Sequence, residues 1–500
     1  MFKTYLFSFV LKFIIGDTMN IKIYQSGLKF MLCNAVKRLY DGEVEFRHSL
    51  DHGICVKIFA DTNITKVEVE KIKQYMKKMA DQNIPFNKKV VSKQEAYEFY
   101  LKKGYIEKAN NILAISNVTV SMYEFEGQYN YFYSHDMPAT SGELKIFDLY
   151  YITDNELVLV YPMHDKIDFT FRNRIYNAFK EYNTWAERIG INFVDDVNKV
   201  VSQGKINDLI TKNNLKSDMD IHDICKQIID NNKRIVLLAG PSSSGKTTTS
   251  KRVSLCLSAM GYDAIPLSLD DFFLEKDETP LDENGNKDFE SVRALDLDLF
   301  TNSLNNLLKG EEVKLPTYNF VKGVKEFNNA PVKLKENQML VIEGLHAINP
   351  EILKRLDTKV VYKVYISPLT PLAVDRHNYI STTDNRLLRR IIRDFRTRGR
   401  SAEQSIASWQ SVRDGEEKYI FPYTDTVDGI INTAYVYEIG VLKVFVEPLL
   451  YDIKMDSPYY NEARRLLDNL KSSYTISSEY IQPDNVLREF IGGSIFERGE

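Results

Sequence analysis

Ile235-Val-Leu-Leu-Ala239-Gly240-Pro241-Ser242-Ser243-Ser244-Gly245-Lys246-Thr247-Thr248 is the stretch from which the rest of the chain can be read. Its first five residues are apolar without alternation, as expected of a parallel strand buried on both faces. From Gly240 the chain fits G-x-x-x-x-G-K-[ST] at every fixed position, and the motif opens a helix expected to run to Gly261. The glycines let the backbone curl so that N–H groups converge on phosphate oxygens, aided by the positive end of the helix. Lys246 would reach the β- and γ-phosphates, and the Thr247 hydroxyl would ligate Mg2+. Residues Gly240 to Thr248 therefore read as a nucleoside triphosphate site.

Similar apolar runs recur downstream at Ala264–Leu269, Met339–Ile342, Val360–Ile366 and Gly429–Ile431, with helical segments between them. That alternation predicts an α/β domain with a doubly wound parallel sheet over residues 231–452. A phosphate loop alone does not say whether the γ-phosphate goes to water or to a small molecule. Two carboxylates at strand ends bear on this. Leu267-Ser-Leu-Asp270 places Asp270 at the carboxyl edge of the sheet, where it can accept the proton of an attacking hydroxyl. Glu343 directly follows Met339–Ile342, where an acid can contact Mg2+ or its water shell. The competing role for each is a strand-end acid that caps a helix.

Arg386, Arg389, Arg390, Arg393, Arg396, Arg398 and Arg400 fall within fifteen residues, against the single acid Asp394. Helical spacing stacks the first of them on one face, and Arg398-Gly399-Arg400 then breaks the helix. A mobile arginine-rich lid over a triphosphate fits this pattern, because planar guanidinium groups stabilise charge on a transferring phosphoryl group. A solvated basic face and an RNA-binding patch compete with it. The latter would want interleaved aromatics, and only Phe395 lies inside the run.

The chain has 500 residues and a formal charge of −4, so whole-chain charge argues neither for nor against an anionic partner. Its 44% apolar and 27% charged composition excludes a largely disordered chain. Four cysteines without a C-x-x-C pair read as free thiols in a reducing compartment. Tyr5 to Ile15 is too short to span a membrane and is interrupted by Lys12. Residues 1–18 read as an extension or an upstream mis-start, since Met19 follows. The expectation is a cytoplasmic protein, without a membrane association and forming a homo-oligomer. Residues 19–195 read as an α+β domain, 196–230 as a helical bridge and 453–500 as a C-terminal tail. Within the front domain Val69, Ile72, Met76 and Met79 recur at helical spacing. Ser92 to Glu95 forms a capping-box pattern for a helix that should stop at Gly104. Leu144–Leu149 and Leu157–Tyr161 alternate as strands do. His48, His52 and Cys55 have ligand-like spacing for zinc, but Asp51-His52-Gly53 reads as a turn and no fourth ligand is evident.

Taken together, residues 231 to about 450 resemble the uridine kinase and phosphoribulokinase family of P-loop kinases. The phosphate loop, Leu267-Ser-Leu-Asp270, Ile342-Glu343-Gly344 and the segment Arg389 to Arg400 all match family motifs. The resemblance implies ATP and Mg2+ as cofactors, Asp270 as the catalytic base, and Lys246, Arg390, Arg393 and Arg398 as neutralisers of developing charge. It also implies a substrate pocket. Phe289 and Glu290 sit where uridine kinases carry a Phe-Asp pair, and Pro316-Thr-Tyr318-Asn-Phe320 resembles their Pro-x-Tyr-Asp-Phe segment. Arg400 joins this substrate-binding set. The family's histidine that reads the pyrimidine edge is replaced by Gly323, and its lid glutamine by Ser408. The expected activity is phosphorylation of a hydroxyl on a small ribose-containing molecule, a nucleoside 5′-hydroxyl first. A phosphoribulokinase-like sugar-phosphate kinase and an RNA-linked nucleotide switch are the alternatives. Residues 24–195 are similar to the additional, editing-type domain of threonyl-tRNA synthetases, through Ala35-Val-Lys-Arg-Leu-Tyr40 and Val91-Ser-Lys-Gln-Glu-Ala96. The editing histidine pair would fall at Ser26 and Phe30 and is absent, so editing is not expected of it; nucleic acid is not an expected partner either, and this domain is where RNA would bind.

Overall fold

Helical and strand periodicities separate along the front of the chain into distinct elements. The computed structural model describes residues 18–496 apart from 133–135, 164–165, 282–284, 286, 289 and 320–321. It divides into two compact units. The first comprises Met1–Ile206, Thr370–Asn385 and Ile439–Ile476. Its elements are α1 (Thr18–Tyr40), β1 (Glu43–Leu50), β2 (Gly53–Phe59), α2 (Lys66–Asp81), β3 (Asn87–Ser92), α3 (Lys93–Lys102), α4 (Ile106–Ala114), β4 (Thr119–Phe125), β5 (Gln128–Asn130), β6 (Asp148–Thr153), β7 (Glu156–Val160), α5 (Asn173–Arg188) and α6 (Val194–Ser202). An antiparallel sheet in the order β1-β2-β7-β6 and a second in the order β3-β4-β5 carry its cores.

The α2 residues picked out by spacing, Val69, Ile72, Met76 and Met79, are buried. Ser92 caps α3 by accepting from the Glu95 N–H at 3.1 Å, and the chain leaves that helix at Gly104 with φ +78. The strand expected from Leu144 begins only at Asp148. Ile146 explains the delay: its N–H donates to the Tyr24 hydroxyl at 3.0 Å and its carbonyl accepts from it at 2.9 Å, so its backbone needs no ladder. His48 lies opposite Cys55 in the β1–β2 register, its ring stacked on Phe179 at 3.7 Å. Burial pushes its pKa down to about 3, so it is a neutral core ring.

This unit is not the continuous block 19–195. The hairpin Ala373–Asp375/Asn378–Tyr379 belongs to it through Arg376, which donates to Glu107 at 2.7 Å, and Asp375, 3.8 Å from the fully buried Lys108. Asp384 pairs with Arg465 of the helix Tyr460–Leu470 at 2.7 and 2.8 Å. Such pairings join residues far apart in sequence, and composition carries no sign of them.

The second unit comprises Asn207–Leu369, Arg386–Glu438 and Ser477–Glu500. The helix α7 (Ile206–Asp230) leads into β8 (Ile235–Ala239), then α8 (Lys246–Ala259), β9 (Ala264–Ser268), the hairpin of β10 (Thr317–Asn319) with β11 (Val324–Glu326), β12 (Met339–Glu343), β13 (Val361–Ser367), the arginine helix α9 (Thr382–Arg398), α10 (Trp409–Tyr419) and β14 (Gly429–Asn432). The five long strands form one parallel sheet in the order β14-β13-β8-β12-β9. The fold is thus the expected α/β domain with a parallel sheet, preceded by an α+β unit.

Two details differ from expectation. β9 is only half-buried, because it is the edge strand, and it tolerates Pro266 for that reason. And α7 is no free bridge: Ile221, Ile224, Cys225 and Ile228 are core residues packed with Val236, Leu238 and Val253. Among the described residues no helix is long and apolar enough to cross a membrane.

Candidate active site

The phosphate loop leaves the central strand β8, and its geometry requires the residues it has. A Cβ at Gly240 would lie 2.3 Å from the Ile366 carbonyl oxygen, and Gly245 has φ +85. Ser243 sits at φ +58, an uncommon conformation for a residue with a side chain. The Ser243 and Ser244 hydroxyls are buried with no hydrogen-bond partner among the described residues, although buried polar groups normally have one. These glycine-cleared approaches and unpaired hydroxyls fit a loop that wraps phosphate oxygens. Lys246 donates to the Pro241 carbonyl at 3.1 Å, and Thr247 is exposed.

Register brings the two strand-end acids beside this loop. Glu343 pairs with Leu238 of β8 on one side and Ser268 of β9 on the other. Ser268 donates to Glu343 at 3.3 Å and also accepts from the Asp270 N–H at 3.3 Å. Burial, and then the negative charge of Asp270, push the Glu343 pKa up to about 7, while Lys246 pulls it down. Asp270 lies in a short 3-10 turn with its surface open to solvent, yet the protein around it dehydrates it and raises its pKa against the pull of Lys246 and Arg398. Glu290 is half-buried and raised first by dehydration, then by Glu416, with Arg390 and Lys246 opposing. Lys246, Asp270, Glu290, Glu343, Arg390 and Arg398 thus share one electrostatic neighbourhood.

The arginine helix corrects the expected mobile lid. Arg386 is 1% exposed and Arg389 fully buried; they pair with the buried Glu416 and with Glu438 at 2.6 Å. Arg386 also donates to the Ser242 carbonyl at 2.9 Å, and Arg390 to the Ser242 hydroxyl at 3.0 Å. Trp409 lies under both guanidinium groups, at 5.2 and 5.9 Å. The amino-terminal half of α9 is therefore an anchor on the phosphate loop. Only its far end is open: the Arg398 side chain is 51% exposed and Arg400 lies beyond the break at Gly399, φ +62. Arg393 and Arg398 lean on the buried Asp394 at 2.9 and 3.4 Å.

On the substrate side Tyr318 is buried, 5.7 Å from Phe273, and its N–H donates to Asp271 at 3.2 Å. Phe289 and Phe320 lie outside the described residues. Gly323 occupies the β10–β11 turn at φ +72, where a Cβ would meet the Lys276 Cβ at 2.8 Å. The Ser408 hydroxyl is spent on the Ser405 carbonyl at 3.2 Å. Lys322 pairs with Glu326 at 2.8 Å and Lys325 with Asp296 at 2.5 Å.

Sequence reading missed Glu416 and Glu489. Glu416 accepts from the Ser242 N–H at 2.8 Å, and Glu489 from the Thr248 N–H at 3.1 Å and hydroxyl at 2.8 Å. Glu416 sits in a polar helix and Glu489 in a one-turn helix among buried apolar residues, each with no motif around it, so no local signal marks them.

Comparison with known proteins bears on the family of this unit. Residues 235–439 match the model of the Phosphoribulokinase / Uridine kinase family. The chain is 28% identical over 200 residues to the uridine kinase of Staphylococcus aureus strain JH9, covering 39% of this chain and 86% of that protein. The uridine kinase of strain Newman gives the same figures. Among solved structures, the D-glycerate 3-kinase of Cryptococcus neoformans var. grubii aligns at 15% identity and a TM-score of 0.32, over 44% of this chain and 94% of that one. Its likeness is too slight to bear on the site. Residues 235–439 carry a P-loop kinase domain of the phosphoribulokinase and uridine kinase family.

Proposed function

We propose that this chain is an ATP-dependent kinase that phosphorylates a hydroxyl of a small ribose-containing substrate, a nucleoside 5′-hydroxyl first among them. The observation that carries this reading is the meeting of Lys246, Asp270 and Glu343 at the carboxyl ends of β8, β9 and β12. A nucleotide switch has no use for a solvent-open carboxylate beside the phosphate loop, whereas a kinase needs a proton acceptor there.

ATP would supply the phosphoryl group, and Thr247 and Glu343 would hold Mg2+, which would supply positive charge to its phosphates. The crowded acids Asp270 and Glu343 fit that ion, since like charges close together favour a bound cation. Asp270 accepts the proton of the substrate hydroxyl. Lys246, Arg390, Arg393 and Arg398 offset charge on the transferring group. Glu290 binds ribose hydroxyls, and Tyr318, Phe289, Phe320 and Arg400 are assigned to substrate binding. The test is ATP consumption by the full chain against a panel of nucleosides and sugar phosphates. Turnover of a nucleoside supports the proposal; turnover of a sugar phosphate alone moves the substrate to the phosphoribulokinase kind. No turnover with any hydroxyl acceptor refutes it.

A further inference from the structure

A phosphate loop holds anions with the backbone N–H groups of its helix's first turn. In α8 that turn is Lys246, Thr247 and Thr248, following Gly245. One of those donors is already taken by an anion from the chain itself. Glu489 accepts both the Thr248 N–H and the Thr248 hydroxyl through a single carboxylate oxygen. It lies close enough to Glu343 to disfavour that group's ionised form. A carboxylate oxygen and a phosphate oxygen cannot both occupy the Thr248 N–H.

The segment that delivers Glu489 is firmly seated within its own unit. Val486 packs against Gly245, where an added Cβ would come within 2.3 Å of its Cγ1. Leu487 and Phe490 are fully buried. The Arg389 guanidinium lies 5.1 Å over the Phe490 ring, and Arg396 donates to the Phe490 carbonyl at 2.8 Å. From the loop's own helix, Lys251 donates to the Phe496 carbonyl at 2.7 Å. The segment thus ties the phosphate-loop helix to the arginine helix, with an acid at the junction.

We propose that Ser477–Phe496 is an autoinhibitory strap whose Glu489 carboxylate competes with the phosphates of the nucleotide for Thr248. The proposal rests on the triphosphate-site reading and adds its regulation: nucleotide must displace Glu489, and whatever loosens the strap raises nucleotide affinity. Deleting the strap would expose Leu487 and Phe490, so point variants are the proper probes. MgADP binding to the full chain is measured by calorimetry for wild type, Glu489→Gln and Glu489→Ala, with Lys246→Ala as a control. Removing a charged acceptor from two donors is expected to tighten MgADP about tenfold or more, with Ala at least as strong as Gln. Hydrogen exchange across 477–496 should rise in wild type when MgADP is added. Unchanged or weaker binding in both variants, or protection of the strap by MgADP, overturns the strap while leaving the triphosphate site in place. Absence of MgADP binding in wild type and both variants, or binding that survives Lys246→Ala, overturns the site and the strap together.

Discussion

Asp270 is pulled two ways: dehydration by the surrounding protein favours its neutral form, while Lys246 and Arg398 favour its anion. A raised pKa makes a carboxylate a stronger proton acceptor, and the nearby cations steady its anion. Asp270→Asn keeps size and removes the base, so kcat should fall roughly 10²–10⁴-fold. Nucleotide binding should hardly change, and calorimetry beside a turnover assay separates the two. Lys246→Ala should abolish turnover while the thermal transition stays, because this half-buried lysine packs no core and its hydrogen bond is to the loop carbonyl of Pro241. Glu343 behaves differently. Its pKa of about 7, against 4.5 ordinarily, means that the fold resists its ionisation, so stability is lost as pH rises from 4.5 through 7. Glu343→Gln should therefore melt higher than wild type at pH 8 while losing activity, and the difference should vanish as pH falls below 4.5. Thermal melts across that range check it. Gly323 shows where residue identity alone misleads. Restoring a histidine there looks like restoring a base reader, but φ +72 and the Lys276 contact mean that any side chain strains the turn first.

Along α9 the same residue type does two jobs, and burial separates them. Arg386 and Arg389 are enclosed ion-pair partners, whereas Arg398 opens to solvent. Arg398→Ala should lower kcat and leave the melting temperature unchanged. Glu416→Gln should do more harm to the fold, because it leaves Arg386 buried without its countercharge and weakens the acceptor of the Ser242 N–H. Breaking such a pair costs about 3–5 kcal/mol, visible as a drop in denaturant midpoint. Helical spacing put these arginines on one face correctly. It could not tell a guanidinium facing Glu416 from one facing water, since Glu416 stands thirty positions away.

At the scale of the chain, the first unit draws on three separate stretches of sequence. A fragment ending near residue 206 lacks Asp375, Arg376 and His377, leaving Lys108 buried with only Asn130 as a close hydrogen-bond partner and Glu107 without its arginine. Expressed alone it should be poorly folded, with far-UV and near-UV circular dichroism below the full chain's. With Ser26 and Phe30 at the positions where the resemblance would require a histidine pair, the full chain is expected to release no amino acid from mischarged threonyl-tRNA in a deacylation assay.

What the residues determined on their own is whatever depends on neighbours in sequence. The phosphate loop, the five strands of the parallel sheet, the cap at Ser92 and the helix break at Gly399 follow from local backbone preference and local burial pattern. What only the tertiary structure decided is which distant groups share a low-dielectric space. That set the half-buried edge at β9, the Ile146 backbone held by Tyr24, the anchoring of Arg386 by Glu416 and the carboxylate of Glu489 on Thr248. The physical reason is one of range. Hydrogen-bond geometry and apolar periodicity act over a few residues, whereas the pairing of a buried charge is settled only when the chain has folded back upon itself.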